Sequence, residues 1–101
     1  MNDNTLHKNV TVKSEAGLHA RPADLLVRLT KQFESTVLIE HRGEKIDCES
    51  ILSILTLGAT QGTELMLHVT GDDAEHAISA LDRFFESGFQ ETQQLGDAVD
   101  S

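Results

Sequence analysis

Residues 17–33, GLHARPADLLVRLTKQF, contain a helix and the turn that leads into it. After Ala20 the apolar residues recur at the three- and four-residue intervals of a helix that buries one face. This apolar set is Pro22, Leu25, Leu26, Leu29 and Phe33. Because polar residues fill the positions between them, the pattern predicts an amphipathic helix over about residues 20–33 that packs against a core.

Four short strands are predicted on the two sides of that helix. Alternating or β-branched residues place them near residues 8–14, 36–40, 44–48 and 65–70. With the helices, the strands follow the order βαββαβα, and no segment repeats at a fixed period. This order predicts an α+β fold in which helices pack on one face of a sheet and the other face is more polar.

Two further helices complete the pattern. Ser50 is a favourable N-cap for a two-turn helix over residues 51–57. A continuous apolar face over residues 74–85 predicts a longer helix near the end of the chain. Asp72 and Glu75 have the spacing of a capping box, and we expect them to stabilise the start of that helix.

The composition excludes several classes of protein. The chain has 101 residues and a net charge of -9, which predicts one domain over residues 1–89 and argues against nucleic-acid binding through a general basic surface. No apolar run approaches the ~18 residues of a membrane helix, and the start has no signal-peptide pattern, so we expect a cytoplasmic protein without membrane insertion. Cys48 is the single cysteine, which excludes an internal disulfide. Residues 90–101 have few apolar side chains, and we expect them to form a flexible acidic tail.

The charge is distributed unevenly along the chain. Residues 1–33 carry a net charge of +2, whereas residues 34–101 carry a net charge of -11. The basic side chains are therefore concentrated around His19 and the helix that follows it. This distribution favours an anionic ligand or an acidic partner there.

His19 lies directly before the first predicted helix. The start of a helix presents N–H groups without intrahelical partners and a partial positive charge, and both attract an anion. Pro22 suits a first turn, and the guanidinium of Arg21 matches phosphate oxygens. A histidine has an unperturbed pKa of about 6.5, so a neutral ring nitrogen is available as a nucleophile near pH 7. The ordinary alternative is that His19 only caps or solvates the helix end.

Other catalytic chemistry lacks the sequence features it needs. The chain contains no nucleophile-elbow motif for acyl transfer and no GxxxxGK[ST] loop for ATP. Any phosphoryl group would therefore have to be received from another molecule. His7, His41, His68 and His76 show no metal-ligand spacing, and we expect neither a metal nor a cofactor.

The chain closely resembles the HPr family of histidine-containing phosphocarrier proteins of the bacterial phosphotransferase system. The resemblance rests on GLHARPA at residues 17–23, SILSILTLG at residues 50–58 and QGT at residues 61–63, and it spans about residues 7–89. It implies an open-faced β-sandwich in which three helices cover one side of a four-stranded antiparallel sheet.

The same resemblance implies a role for each residue of the first motif. His19 would be phosphorylated at its Nδ1 atom, and Arg21 would contact the phosphoryl group together with the backbone N–H groups of Ala20 and Arg21. Pro22 would support the start of the helix. Enzyme I, phosphorylated from phosphoenolpyruvate, would be the donor, and IIA domains of sugar transporters or of a regulatory branch would be the acceptors.

The resemblance also implies a docking face for these partners, on a chain that we expect to be a monomer. Its apolar patch would be Ile51, Leu52 and Leu55, and its basic side chains would be Arg28 and Lys31. The alternative is that the apolar trio belongs to the core. We expect Ile54 and Leu57 to point inward instead, because one short helix cannot bury all five apolar residues against a sheet.

Ser50 aligns with the serine that HPr kinase/phosphorylase modifies in many members of the family. Its regulatory role and its purely structural role as an N-cap stay equally open. Glu49, Ser53 and Ala16 depart from the common family pattern, and the first two would weaken recognition by that kinase. The competing function is a regulatory module that binds partners without transferring phosphate and is switched at Ser50.

Overall fold

The structure is a computed structural model that describes residues 5–90. The strands and helices are β1 (Thr5–Thr11), α1 (Ala20–Thr30), β2 (Thr36–His41), β3 (Glu44–Asp47), α2 (Ile51–Leu55), β4 (Glu64–Thr70) and α3 (Ala74–Glu86). The predicted order of elements is confirmed. Apart from Gln90, the predicted tail lies outside the described residues, so the division into a domain and a tail stays a prediction.

The four strands form one antiparallel sheet in the order β1-β4-β2-β3. Val10 on β1 and Leu65, Leu67 and Val69 on β4 are buried beneath the helices. The three helices cover this one face, which confirms the α+β open-faced sandwich. The pairs Thr36↔Thr70 and Thr11↔Glu64 mark opposite ends of the sheet.

Side chains on the uncovered face are mostly polar. The Nε2 atom of His68 lies 2.7 Å from Glu40 Oε1, and this contact joins β4 to β2. The ring of His7 packs edge-on against His68, with 4.6 Å between the ring centroids. His68 is therefore half-buried among its neighbours on the sheet rather than fully solvated.

The core lies between the sheet and the helices. Its largest fully buried side chains are Phe84, Phe85, Leu26, Leu29, Ile39, Ile54, Leu65, Leu67, Leu81, Val12, Val37 and Val69. Full burial of one such side chain stabilises the fold by about 1.5–3 kcal/mol before entropy is counted. Cys48 is also fully buried, and this burial raises the pKa of its thiol far above the ordinary value.

The predicted bounds differ from the structure most at β1 and α1, and α2 ends at Leu55 rather than at residue 57. β1 begins at Thr5 and ends at Thr11 because it pairs with β4 along the whole length of that strand. α1 ends at Thr30 because the N–H groups of Gln32 and Phe33 donate to carbonyls only three residues back, which tightens the chain into a turn. The predicted strand over residues 8–14 was therefore placed too late, and the predicted helix over residues 20–33 was too long.

The predicted capping box at Asp72 and Glu75 is wrong. The N-cap of α3 is Asp73, and its side chain makes no cap hydrogen bond. The Asp73 carboxylate instead accepts hydrogen bonds from the backbone N–H of Glu34 at 2.9 Å and of Ser35 at 3.0 Å, and from the Ser35 hydroxyl. These bonds join the end of α1 to the start of α3, far along the chain.

Gly71 allows this close packing. A Cβ atom at Gly71 would lie 2.6 Å from Ser35 Oγ and 2.8 Å from Ser35 Cα, distances that no ordinary side chain tolerates. Its φ of +149° is also unfavourable for any residue with a Cβ. Hydrogen bonds to the carboxylate hold the pKa of Asp73 below its ordinary value. The bond from the Ser35 side chain has the largest effect, and the bond from the Glu34 backbone has the next largest.

We expect Asp73→Asn to lower the midpoint of thermal unfolding at pH 7. Because the folded-state pKa of Asp73 is lowered, the carboxylate stabilises the fold above about pH 4, and this contribution disappears as the pH falls further. Thermal unfolding of wild type and variant from pH 7 to pH 2.5 should therefore show a difference that narrows below about pH 4. Asp72→Asn is the control for the loss of one charge at the same helix end. A difference that stays constant with pH would contradict this account.

Candidate functional site

The loop between β1 and α1 is held tightly against the loop that follows α2. Gly17 has a φ of +78°, and a Cβ atom there would lie 2.7 Å from the carbonyl oxygen of Ala59. The backbone N–H of Leu18 donates to this same oxygen at 3.0 Å. The position therefore requires glycine both for its φ and for its close approach to backbone, and it fixes the residue two places before His19.

Further hydrogen bonds join the same two loops. The N–H of Val12 donates to the Thr63 carbonyl at 2.9 Å, and the N–H of Gly62 donates to the Val12 carbonyl at 2.8 Å. The side chain of Gln61 donates from Nε2 to the Lys13 carbonyl at 3.2 Å. The backbone that leads to His19 is thus bonded at several points and does not depend on a single contact.

His19 is the N-cap residue of α1, with an extended backbone at φ -93° and ψ -166°. Its carbonyl accepts the N–H of Ala23 at 2.9 Å, whereas its side chain makes no cap hydrogen bond. The alternative in which the imidazole caps the helix is therefore wrong. His19 is exposed, so its side chain is accessible to solvent.

The first turn of α1 provides donors to the same location. Ala20 and Arg21 precede Ala23, whose N–H donates to the His19 carbonyl, and their N–H groups therefore lie in the first turn of α1. Pro22 is buried and lacks an N–H, and its place in the first turn therefore costs no helical hydrogen bond. The helix dipole adds positive charge at this end, which suits an anion beside His19.

The basic side chains of α1 extend this positive region. Arg21, Arg28 and Lys31 are all exposed. The Nε atom of Arg28 donates to Asp24 Oδ2 at 3.1 Å, so part of its charge is offset within the helix. Arg21 lies next to the helix end, and Arg28 and Lys31 lie in and just after its last turn.

The second helix places its apolar residues only partly as expected, because Ile51 and Leu55 of the predicted patch pack against the core as Leu57 does. Ile54 is fully buried, Leu52 is 76% exposed, and Ile51, Leu55 and Leu57 are half-buried. The prediction for Ile54 is confirmed, and Leu57 is only partly covered. α2 packs against α1, the helix that carries Arg21 and Arg28.

Ser50 is the N-cap of α2, as predicted. Its Oγ atom accepts a hydrogen bond from the N–H of Ser53 at 3.2 Å. The side chain is half-buried, and it lies between the exposed side chain of Glu49 and the start of the apolar patch. In this conformation Ser50 therefore caps the start of α2.

Lys13 and Glu86 form a contact that the sequence did not reveal. Lys13 Nζ lies 3.0 Å from Glu86 Oε1, which joins the loop before His19 to the last residue of α3. The two residues are 73 positions apart, and neither belongs to a recognisable motif. Their opposite charges are the only signal, and it is one that many other pairs in the chain share.

Neither a metal site nor a membrane helix is found in residues 5–90. No three His, Cys, Asp or Glu side chains in this range are arranged to hold a metal ion. No helix within the described range has the length and apolar character needed to cross a membrane.

Comparison with known proteins finds relatives that match almost the whole described range. A protein-family model described as the PTS HPr component phosphorylation site matches residues 6–87. The phosphocarrier protein NPr of Proteus mirabilis (strain HI4320) is 38% identical over 88 residues, which cover 86% of this chain and 98% of that protein. The phosphocarrier protein HPr of Treponema pallidum (strain Nichols) is 37% identical over 84 residues, covering 83% and 96%. The crystal structure of HPr-C-His from Thermoanaerobacter tengcongensis matches with a TM-score of 0.81 and 39% identity, covering 86% of this chain and 98% of that one.

We expect Gly17→Ala to destabilise the fold and to move the loop that carries His19. The positive φ alone costs about 1–3 kcal/mol for a residue with a Cβ, and contact with the Ala59 carbonyl adds to it. Gly43→Ala is the matched control, because Gly43 has a φ of +82° and open space around its Cβ position. Urea unfolding and the amide chemical shifts of His19 and Ala59 measure the effect. Equal losses of stability in the two variants would contradict the proposed close packing.

Proposed function

The chain belongs to the HPr family of the phosphotransferase system, and we propose that His19 is the residue that carries its phosphoryl group. Members of this family are phosphocarrier proteins that are transiently phosphorylated on a histidine, and they are not enzymes. The observation that carries the assignment to His19 is its exposed imidazole at the start of α1, where the side chain makes no cap hydrogen bond.

The transfer step follows from the position of this ring. The Nδ1 lone pair of neutral His19 attacks the phosphorus of the phosphorylated donor. A nitrogen–phosphorus bond forms while the bond between phosphorus and the donor breaks, and its electron pair returns to the donor. The proton on Nε2 stays on the ring. Transfer to the acceptor is the reverse reaction, with the acceptor as nucleophile.

The start of α1 stabilises the group once it is attached. A phosphoryl group on His19 carries up to two negative charges. The N–H groups of Ala20 and Arg21, the dipole of the helix and the guanidinium of Arg21 offer hydrogen bonds and positive charge to it. Because the N–H groups and the dipole are held by the helix backbone, they need little reorganisation when the phosphoryl group arrives.

Enzyme I is the proposed donor and IIA domains are the proposed acceptors, in the cytoplasm and with the chain acting as a monomer. Both partners would dock on the face made by Arg28, Lys31, Ile51, Leu52 and Leu55, which we call the docking face. Its support is the exposure of Leu52 beside a basic helix. A small interface of this kind, near or below ~1,200 Å² in total, allows each partner to leave quickly.

We expect His19→Ala to abolish phosphoryl transfer while the fold is kept. The full chain is mixed with phosphoenolpyruvate and the enzyme I of the same organism, and its intact mass is measured. Wild type should gain one acid-labile phosphoryl group and His19→Ala none. His76→Ala is the matched control, since His76 is an exposed histidine on α3. Failure of wild type to accept phosphate from active enzyme I would exclude the carrier role.

A regulatory role for Ser50, through HPr kinase/phosphorylase, is the second proposal. Its support is the place of Ser50 at the N-cap of α2, next to the docking face. A phosphate there adds about -1.5 to -2 charge. A helix N-terminus tolerates this charge, whereas an acidic partner is repelled by it. Modification also requires the Ser50 hydroxyl to give up its bond to the N–H of Ser53.

Substitutions at Ser50 separate its structural role from its regulatory role. Ser50→Ala should cost about 1 kcal/mol of stability through the lost cap and leave the rate of transfer unchanged. Ser50→Asp keeps a capping side chain and adds charge, so it should raise the KM for enzyme I several-fold. Ser79→Asp, at an exposed site on α3, is the control for added charge. Equal KM values for Ser50→Asp and Ser79→Asp would contradict a switch at Ser50.

A further inference from the structure

The chain after Gln90 starts beside the functional site. α3 runs from the Asp73 end of the molecule to Glu86, whose carboxylate contacts Lys13 in the loop that leads to His19. Phe89 is then anchored by the rings of Phe84 and Phe85, with centroid separations of 5.3 Å and 5.1 Å. The last described residues are therefore held at the same end of the sheet as His19.

The segment that follows complements the docking face in charge. Residues 91–101, ETQQLGDAVDS, contain three carboxylate side chains and no basic residue. The docking face has Arg28 in the last turn of α1 and Lys31 just after it, and both are exposed. Leu95 and Val99 supply apolar side chains between the carboxylates. Acidic and apolar groups in one short segment are what this face is suited to bind.

The length of the segment limits how far from Gln90 it can bind. Eleven residues follow Gln90, and a fully extended chain of this length spans at most about 36–40 Å. A tethered segment of this kind has an effective concentration of about 1 mM at a site within its reach. A contact with a dissociation constant near 1 mM would then be occupied about half of the time.

We propose that residues 91–101 bind intramolecularly to the docking face and compete there with the acidic partners of the carrier. We expect the contact to be weak, because a partner that brings a phosphoryl group has to displace the segment. Half occupancy would double the apparent KM for the donor and leave kcat unchanged. Competition with partners rests on the proposed function, whereas the intramolecular contact can form without it.

A spin label at the end of the segment tests the contact on the full chain. Ser101→Cys can be labelled selectively with a nitroxide, because Cys48 is fully buried. The label should broaden the backbone amide signals of Arg28, Lys31 and Leu52 more than those of the hairpin residues Glu44 and Lys45. High salt should reduce this selective broadening, since the contact is electrostatic in part.

Neutral variants provide the matched comparison. Glu91→Gln, Asp97→Asn and Asp100→Asn together should remove the selective broadening. The control combines Glu44→Gln, Asp72→Asn and Glu75→Gln, three exposed acidic residues outside the segment, and should retain it. Broadening that is unselective, or that the neutral segment retains, would overturn the proposal. So would broadening of isotope-labelled chains by spin-labelled copies in a mixture, because that result assigns the contact to a second molecule.

Kinetics with enzyme I then test competition. Neutralising the segment should lower the KM for transfer to His19 about twofold without changing kcat, whereas the control set should not lower it. An unchanged KM would overturn the competitive role. If wild-type His19 accepts no phosphate at all, the proposed function fails, and the spin-label result still decides whether the segment binds.

Discussion

The close approach of Gly17 to the Ala59 carbonyl is the constraint on which the site depends. It brings the loop before α1 against the loop after α2, and these two loops otherwise belong to separate parts of the chain. The bond from Leu18 to the same carbonyl fixes the direction in which the chain enters α1. His19 and the first turn of α1 consequently lie near the loop that follows α2. One backbone contact therefore joins the proposed phosphoryl site to that loop.

The N-cap position of α1 is used in an unusual way. A Ser, Thr, Asp or Asn side chain at an N-cap accepts an N–H of the first turn and typically contributes about 1 kcal/mol. His19 makes no such bond, so the chain forgoes this stabilisation. In the proposed function, the N–H groups at this helix end bind the incoming phosphoryl group and the imidazole acts as the nucleophile. Ser50 shows the ordinary arrangement on α2, where the cap is formed by its own hydroxyl. The N–H groups of a first helical turn can bind a capping side chain or an anion, and the two uses compete.

Local pattern accounted for most of the fold. The apolar periodicity of α1 and α3 and the alternation in β4 predicted their existence and buried faces, because both depend on neighbours in sequence. Contacts between distant residues were not predictable in this way. Asp73 and Ser35 are 38 positions apart, and local spacing instead suggested a capping box at Asp72 and Glu75. The start of β1 was missed because Thr5, His7 and Lys8 lack an apolar alternation, and pairing with β4 keeps them in the sheet. For the site, the motif placed His19 before a helix, but only coordinates could show that its side chain does not cap it.

The arrangement of strong and weak contacts suits a protein that has to exchange partners. The Asp73 carboxylate and its three donors lie at the end of the sheet away from His19, where they join α1 to α3 without occupying the functional surface. Near His19, hydrogen bonds between the backbones of the two loops hold the chain in place, and His19 and Arg21 are exposed. A carrier gains nothing from a tight interface, because every increase in affinity for the donor slows its release before the acceptor can bind. Weak docking, combined with a rigid and electrostatically prepared helix end, separates the recognition of the partner from the stabilisation of the phosphoryl group.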